Sequence, residues 1–246
     1  MRTGELQTIV VLNPKGGCGK TTLATTLAAA FAQRGLSPTL ADCDPEGFSL
    51  RWVAKRPVDR PPVYGVAASG EAAATEPLRA HVRLDSPVAI IDLPAAIPHR
   101  DLHDFIHLAD RVLIPIMPSE IDVHSASRLI AELLLDAQLD RGEQKLAIVA
   151  NRVRTATRSY RQLCAFLASL RIPMIAVLRD TQNFVYAAAR GLGISELPAY
   201  AVRDELVQIE AIMTWLEPRD TRADRPLATE LPSQRNPEPV ELDATR

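Results

Sequence analysis

The sequence predicts an α/β protein built on a doubly wound, mostly parallel sheet with helices on both faces. Three observations carry this prediction. A glycine-rich stretch, Asn13-Pro14-Lys15-Gly16-Gly17-Cys18-Gly19-Lys20-Thr21-Thr22, lies between the apolar run Thr8 to Leu12 and a helical pattern that begins near Lys20. Further along, short continuous apolar runs alternate with helical stretches, the rhythm of parallel strands joined by crossover helices. Finally, 246 residues that are 47% apolar suffice for one such domain and its core.

Thr8 to Leu12 reads as the first strand. After the glycine-rich stretch, Leu23, Leu27, Ala30 and Phe31 recur at helical spacing until Arg34-Gly35, where the glycine supplies a C-terminal stop. Thr39 to Asp42 is the second strand and runs into Asp42-Cys43-Asp44-Pro45-Glu46-Gly47. A short helical piece with Phe48, Leu50 and Trp52 follows, then a proline-rich loop from Arg56 to Val63. The alanine-rich segment Glu71 to Leu84 is expected to be helical. Val88 to Asp92 is a continuous apolar run closing on an acid, as suits a strand buried on both faces, and Arg111 to Met117, Lys145 to Ala150 and Met174 to Leu178 repeat it. Helices fall between them near Asp101 to Leu108, Asp122 to Leu139 and Ser159 to Leu170. A last helix, roughly Asp204 to Trp215, sets Leu206, Ile209, Ile212, Met213 and Leu216 on one side. One domain is thus expected over residues 1–216. From Glu217 onward, five prolines and mixed charges with few large apolar residues predict a disordered tail over 217–246.

The chemistry is concentrated in the glycine-rich stretch. Three glycines in four positions let the backbone curl so that successive N–H groups converge on one point, where a phosphate belongs. Gly16, Gly17, Cys18, Gly19, Lys20, Thr21 and Thr22 are the expected phosphate-binding residues. The following helix adds its N-terminal dipole, Lys20 sets a cation beside the β- and γ-phosphates, and the Thr21 hydroxyl is positioned to ligate Mg²⁺. A plain turn between strand and helix is the alternative. In open α/β sheets ligands bind beyond the carboxyl ends of the strands, where this loop, Asp44 and Asp92 all fall. Asp92, ending a buried strand beside the loop, is placed to hold Mg²⁺ through a water, or else to cap the turn Asp92-Leu93-Pro94.

Pro14 stands where the first glycine of the general phosphate-loop pattern would be, and an extra lysine, Lys15, precedes the glycine pair. The stretch Lys15 to Thr22 therefore resembles the deviant Walker A ATPases of the ParA/MinD type, a branch of the P-loop NTPases. The resemblance implies ATP and Mg²⁺ as cofactors and a nucleotide-sandwich homodimer in which Lys15 reaches across to the partner's ATP. It also makes Asp42 to Pro45 the family's first switch, with Asp44 orienting the hydrolytic water and Asp42 near the Mg²⁺ hydration shell. The implied catalytic set is Lys15, Lys20 and Asp44, and the metal set Thr21, Asp42 and Asp92. The adenine is placed between Asn151 and the loop after Leu178, although Asn151 could equally cap the following helix. Glu46 replaces the glutamine common after D-x-D-P, and the turn Asp92 to Ala96 lacks the more usual second proline or glycine. The likeness covers about residues 7 to 216. With no room for a helix-turn-helix domain before the first strand, the chain resembles the short class, ParF-like or McdA-like. That class implies weak, partner-stimulated hydrolysis, an ATP-bound dimer on nonspecific DNA, and a ParB-like or McdB-like adaptor on a cargo: a plasmid, a chromosome locus or a protein body such as a carboxysome.

The net charge of −2 and pI near 6.2 do not by themselves announce a nucleic-acid binder. Residues 151 to 190 nevertheless hold Arg152, Arg154, Arg158, Arg161, Arg171, Arg179 and Arg190 against the single acid Asp180. This is either a solvated face or a polyanion-binding surface, and the resemblance favours the second, with Arg179, Arg190 and Arg203 as candidates. His99, His103 and His107 share one helical face, but no cysteine or acid is evidently placed to complete a metal site, so a solvated or interface face is the simpler reading. Cys18, Cys43 and Cys164 fit a reducing compartment, the first two as small buried side chains. Without a secretory signal or a membrane-length apolar run, the expected location is cytoplasmic, nucleoid-associated when ATP-bound, with no membrane partner. Three rivals remain. A MinD-like ATPase acting on a membrane needs a basic amphipathic C-terminal helix, an iron–sulfur reductase needs cluster cysteines, and a nucleotide-gated module would show negligible turnover.

Overall fold

A computed structural model describes residues 6–68, 86–135 and 145–217 of the chain. The helix expected at Glu71 to Leu84, the last residues of the one expected to reach Leu139, and the proline-rich tail lie outside the described residues. Seven strands form one sheet: β1 (Gln7–Val11), β2 (Thr39–Asp42), β3 (Tyr64–Ala67), β4 (Val88–Asp92), β5 (Arg111–Ile116), β6 (Leu146–Val153) and β7 (Met174–Arg179). Their order is β3-β2-β4-β1-β5-β6-β7, and every pairing is parallel. Around them lie α1 (Lys20–Gln33), α2 (Phe48–Ala54), α3 (His99–Leu108), α4 (Glu120–Leu135), α5 (Arg158–Leu170), α6 (Gln182–Ala189) and α7 (Arg203–Leu216). None of the described helices is long and apolar enough to cross a membrane.

The strands read as unbroken apolar runs because both faces of the sheet are covered. Side chains alternate across a strand, so Ile9 and Val11 pack on one side while Val10 and Leu12 pack on the other. The first side is closed by α1, Trp52 of α2 and Ile209, Ile212, Met213 and Leu216 of α7. The opposite side holds Leu102, Phe105 and Ile106 of α3, Leu129, Ile130 and Leu133 of α4, and Leu163 and Leu167 of α5.

Two elements escape the sequence pattern. Tyr64 to Ala67 pairs only with β2, at the sheet edge, and its residues alternate between half-buried and exposed. Four residues including a glycine carry too little apolar signal to read as a strand. The eight-residue α6 fully buries only Ala187, so its periodicity is equally faint. At the other edge of the sheet, Gln208 of α7 accepts a hydrogen bond from the Val177 N–H at 2.7 Å, which occupies an otherwise open donor of β7.

One buried ion pair ties two loops together. Arg56 donates from both terminal nitrogens to Glu196 at 2.7 and 2.9 Å and also to the carbonyls of Pro61 and Gly191. The two side chains are 5% and 0% exposed. Breaking such a pair leaves an uncompensated buried charge. Arg56→Ala is therefore expected to cost about 3–5 kcal/mol, read as a fall in the urea midpoint, and a loss below about 1 kcal/mol would mean that solvent already screens the pair.

Candidate functional site

The glycine-rich loop leaves β1 at the centre of the sheet and ends at α1. Its shape is set by two side chains outside the motif. Asn13, 2% exposed, donates to the Pro115 carbonyl at 2.7 Å and accepts from the Lys15 N–H at 2.9 Å, which pins the loop's start to β5. Asn151, at the end of β6, donates to the Cys18 carbonyl at 2.8 Å. Gly19 has φ +101°, and a Cβ there would lie 2.1 Å from Asn151 Nδ2, so only glycine fits. Asn151 does not cap α5, whose cap is Thr157, accepting from the Tyr160 N–H. Its amide is committed to holding the loop.

Lys20, in the first turn of α1, is 8% exposed, and its ammonium donates to the Lys15 carbonyl across the loop at 3.3 Å. The α1 N-terminus carries no side-chain cap and no acid in its first turn, so its backbone donors remain available to an anion. Thr21 and Thr22 are half-buried in this turn.

Strand register brings the acids to the loop. Asp42 of β2 and Asp92 of β4 are register partners, and Asp92 is in turn the partner of Val11, at the end of β1. Asp92 is 1% exposed and accepts from the Ser49 hydroxyl at 2.7 Å through Oδ2, while Oδ1 has no hydrogen-bond partner among the described residues. Burial pushes its pKa up to about 6, against the Ser49 and Thr21 hydroxyls, which favour the charged form. A buried carboxylate with a spare oxygen beside Thr21 fits a hydrated divalent cation, which would supply the missing charge. Asp42 is otherwise engaged: it accepts from Leu50 N–H at 2.9 Å and Asp44 N–H at 3.2 Å, and burial raises its pKa as well. Half-buried Asp44 accepts from the Glu46 N–H at 3.0 Å and orders its own turn. Glu46 itself is exposed.

Lys15 Nζ lies 3.1 Å from Asp122 Oδ2 at the start of α4. Asp122 is 1% exposed and also accepts from the Ser119 hydroxyl. Neither this counter-ion nor Ser49 was legible in the sequence, because both come from helices distant along the chain and match no motif. Both loop-proximal cysteines are buried, and burial raises the Cys18 thiol pKa and pushes that of Cys43 to about 12, as inert packing groups require.

The seven arginines of residues 151 to 190 are all exposed, but they are not one surface. Arg179 pairs with Glu205 at 2.7 Å and Asp204 at 3.0 Å, and Arg154 with Asp180 at 3.0 Å. Arg190 lies over the Tyr186 ring, 3.6 Å from its centroid. Arg152, Arg158 and Arg161 have no acidic partner among the described residues and fall at the end of β6 and the start of α5, next in sequence to Asn151. Arg203 is exposed at the start of α7.

The raised pKa of Asp92 has a consequence for stability. Between the ordinary value of 3.8 and about 6 the folded protein keeps a proton on Asp92 that the unfolded chain releases, so stability falls as pH rises through that window. Nucleotide-free Asp92→Asn is expected to exceed the wild type by roughly 2–3 kcal/mol near pH 8, the gap closing toward pH 4 in thermal melts. Equal stability near pH 8 would mean that neighbouring groups already compensate the charge.

The model of the CobQ/CobB/MinD/ParA nucleotide binding domain matches residues 9–194. The carboxysome distribution protein A of Halothiobacillus neapolitanus is 27% identical over 215 residues, 85% of this chain and 97% of its own length. Protein ParA of Rhizobium radiobacter is 28% identical over 152 residues, 62% of this chain and 67% of its own. Among solved structures, apo McdA of Cyanothece superposes with a TM-score of 0.66 at 17% identity, covering 85% of this chain and all of the other. MinD of Aquifex aeolicus gives 0.64 at 18% identity, covering 87% and 98%, so the fold is shared. With the family model spanning three quarters of the sequence, including the loop, both acids and Asn151, the chain belongs to the CobQ/CobB/MinD/ParA family of nucleotide-binding proteins.

Proposed function

We propose that this chain is an ATP-driven positioning protein: two copies close around ATP and Mg²⁺, the dimer binds nucleoid DNA without reading its sequence, and a cargo-bound adaptor stimulates hydrolysis and release. The observation that carries this reading is the loop with both of its lysines intact, Lys20 buried beneath it and Lys15 half-buried beside it on Asp122. In this cycle Lys15 exchanges Asp122 for the partner's phosphates, the mobile cation of a nucleotide-gated dimer. Thr21 and Asp92 hold the hydrated Mg²⁺, with Asp42 behind them, and Asp44 orients the attacking water once the turn of Asp42 to Gly47 closes. Gly16 to Thr22 bind the phosphates, and the adenine lies between Asn151 and the loop after Leu178.

The cargo is a plasmid, a chromosome locus or a protein body such as a carboxysome, with a ParB-like or McdB-like adaptor. Similarity to a carboxysome distribution protein along nearly its whole length supports the last. Cytoplasmic protein would shuttle to the nucleoid when ATP-bound. Arg152, Arg158 and Arg161 are better DNA candidates than Arg179, whose charge Asp204 and Glu205 already offset.

Asp44→Ala is expected to bind ATP normally and hydrolyse it at least tenfold more slowly, accumulating dimer in sizing chromatography; unchanged turnover would remove Asp44 from the chemistry. The decisive test is fluorescence anisotropy of a random-sequence duplex titrated with protein, Mg²⁺ and either ATP or ADP across a salt series. Binding should require ATP, weaken along a linear log–log salt dependence, and flatten in Arg158→Glu/Arg161→Glu but not in Arg179→Ala. Equal binding with both nucleotides would sink the gated cycle, and none with either would point to a membrane or protein scaffold.

A further inference from the structure

The sequence sets His99 and His103 one helical turn apart on α3, and read alone it offers no acid to join them. The tertiary structure corrects that expectation. Glu132 of α4 lies against the same turn, with its Oε1 3.2 Å from His99 Nε2. One donor atom from each of His99, His103 and Glu132 falls within 4.8 Å of the other two. The two imidazoles stack, with centroids 4.5 Å apart and planes 28° from parallel, which keeps the rings on one side of α3. His103 Nε2 is buried and has no hydrogen-bond partner among the described residues. A buried ring nitrogen left without a partner carries a desolvation cost that a ligand would offset.

We propose that His99, His103 and Glu132 form a site for a borderline divalent transition metal of the zinc type. Two imidazole nitrogens and one carboxylate oxygen are a donor set that such ions prefer and that Mg²⁺ and Ca²⁺ do not. Three protein ligands with bonds of about 2.0–2.2 Å leave a fourth, tetrahedral position to water. Bonds of that length set donors about 3.3–3.6 Å apart, a separation the His99–Glu132 pair already approaches at 3.2 Å, so the two need only a small movement relative to His103. His99 and Glu132, whose side chains are 60% and 28% exposed, have the freedom to make that movement, whereas His103 supplies the fixed point. The ion would give the His103 nitrogen a partner and replace the His99–Glu132 contact by two metal bonds.

The site is separate from the nucleotide site and differs from it in chemistry, but α4 contributes a residue to the surroundings of each. His99 opens α3 after the turn that follows Asp92, and α4, which carries Glu132, has in its first turn the Asp122 that holds Lys15. A bound ion would therefore join α3 to the helix that carries Asp122.

The test is isothermal titration of Zn²⁺ into nucleotide-free, full-length protein without a histidine tag, in excess Mg²⁺ to fill oxygen-donor sites. The background is Cys164→Ser, which removes the one cysteine that is not buried. One equivalent should bind. Exposed His99→Ala and half-buried His103→Ala should each weaken binding by at least tenfold, since losing even a group that only orients a ligand costs 10–100-fold. Glu132→Gln should weaken it as well, whereas His107→Ala should leave it unchanged. Cu²⁺ bound to the parent protein should show coupling to two nitrogens in its paramagnetic resonance spectrum, and that signal should be reduced in His99→Ala, which is exposed and leaves the core intact. Absence of stoichiometric uptake by the parent, or the same affinity in both His99→Ala and His103→Ala, would overturn the proposal and leave a water on His103 as the occupant.

Discussion

The arrangement rests on the parallel register of three strands. β1 pairs with β4 so that Val11 meets Asp92, and β4 pairs with β2 so that Asp92 meets Asp42. Because all three strands point the same way, their carboxyl ends open on one edge, and the loop after Val11 emerges between the acid of β4 and the carboxyl end of the parallel strand β5, where Asn13 meets Pro115. A slip of one residue would turn Asp92 to the opposite face of the sheet. Continuous burial of Val88 to Ile91 on both faces makes that slip costly. The position of a carboxylate is thus set by hydrophobic packing several residues away.

That carboxylate is held in a state that invites a cation. Asp92 is shielded from water, is hydrogen-bonded at one oxygen by Ser49, and has its other oxygen unmatched among the described residues. Asp42 beside it is also buried, yet it is satisfied by the backbone donors of Asp44 and Leu50, so it stabilises the turn and the start of α2. Two acids in one register pair therefore carry different duties, set by what donates to each. The same turn holds Asp44, whose side chain is only half-buried and bonds within the turn itself. A segment tied by local hydrogen bonds can rearrange at low cost, whereas Asp92 cannot move without disturbing the core.

Charges that look uncompensated along the chain find partners across it. Lys15 is balanced by Asp122, 107 residues away, and Arg179 by Glu205, which is 1% exposed. Arg56 and Glu196, 140 residues apart, make a buried bidentate pair. These contacts redistribute the apparent basic run of residues 151 to 190. Arg179 and Arg154 are paired with acids, and the arginines without acidic partners among the described residues include Arg152, Arg158 and Arg161 at the end of β6 and the start of α5. The histidines of α3 follow the same rule, since their acid comes from α4.

What the amino-acid sequence determined by itself was everything carried by short-range order. Apolar runs, glycine spacing and helical periodicity specified six of the seven strands, the loop Lys15 to Thr22, Asp92 at the end of its strand and Asp44 in the turn just beyond its own, because those signals are written within a few consecutive residues. Only the tertiary structure decided the rest. β3 forms because β2 offers it an edge; Ser49 reaches Asp92 and Asn151 reaches Gly19 because strand order brings them together; and Asp122 and Glu132 acquire their meaning from cations and imidazoles far away in sequence. A hydrogen bond or an ion pair acts over about 3 Å of space, and no local pattern in a chain records which distant residues folding will bring within that reach.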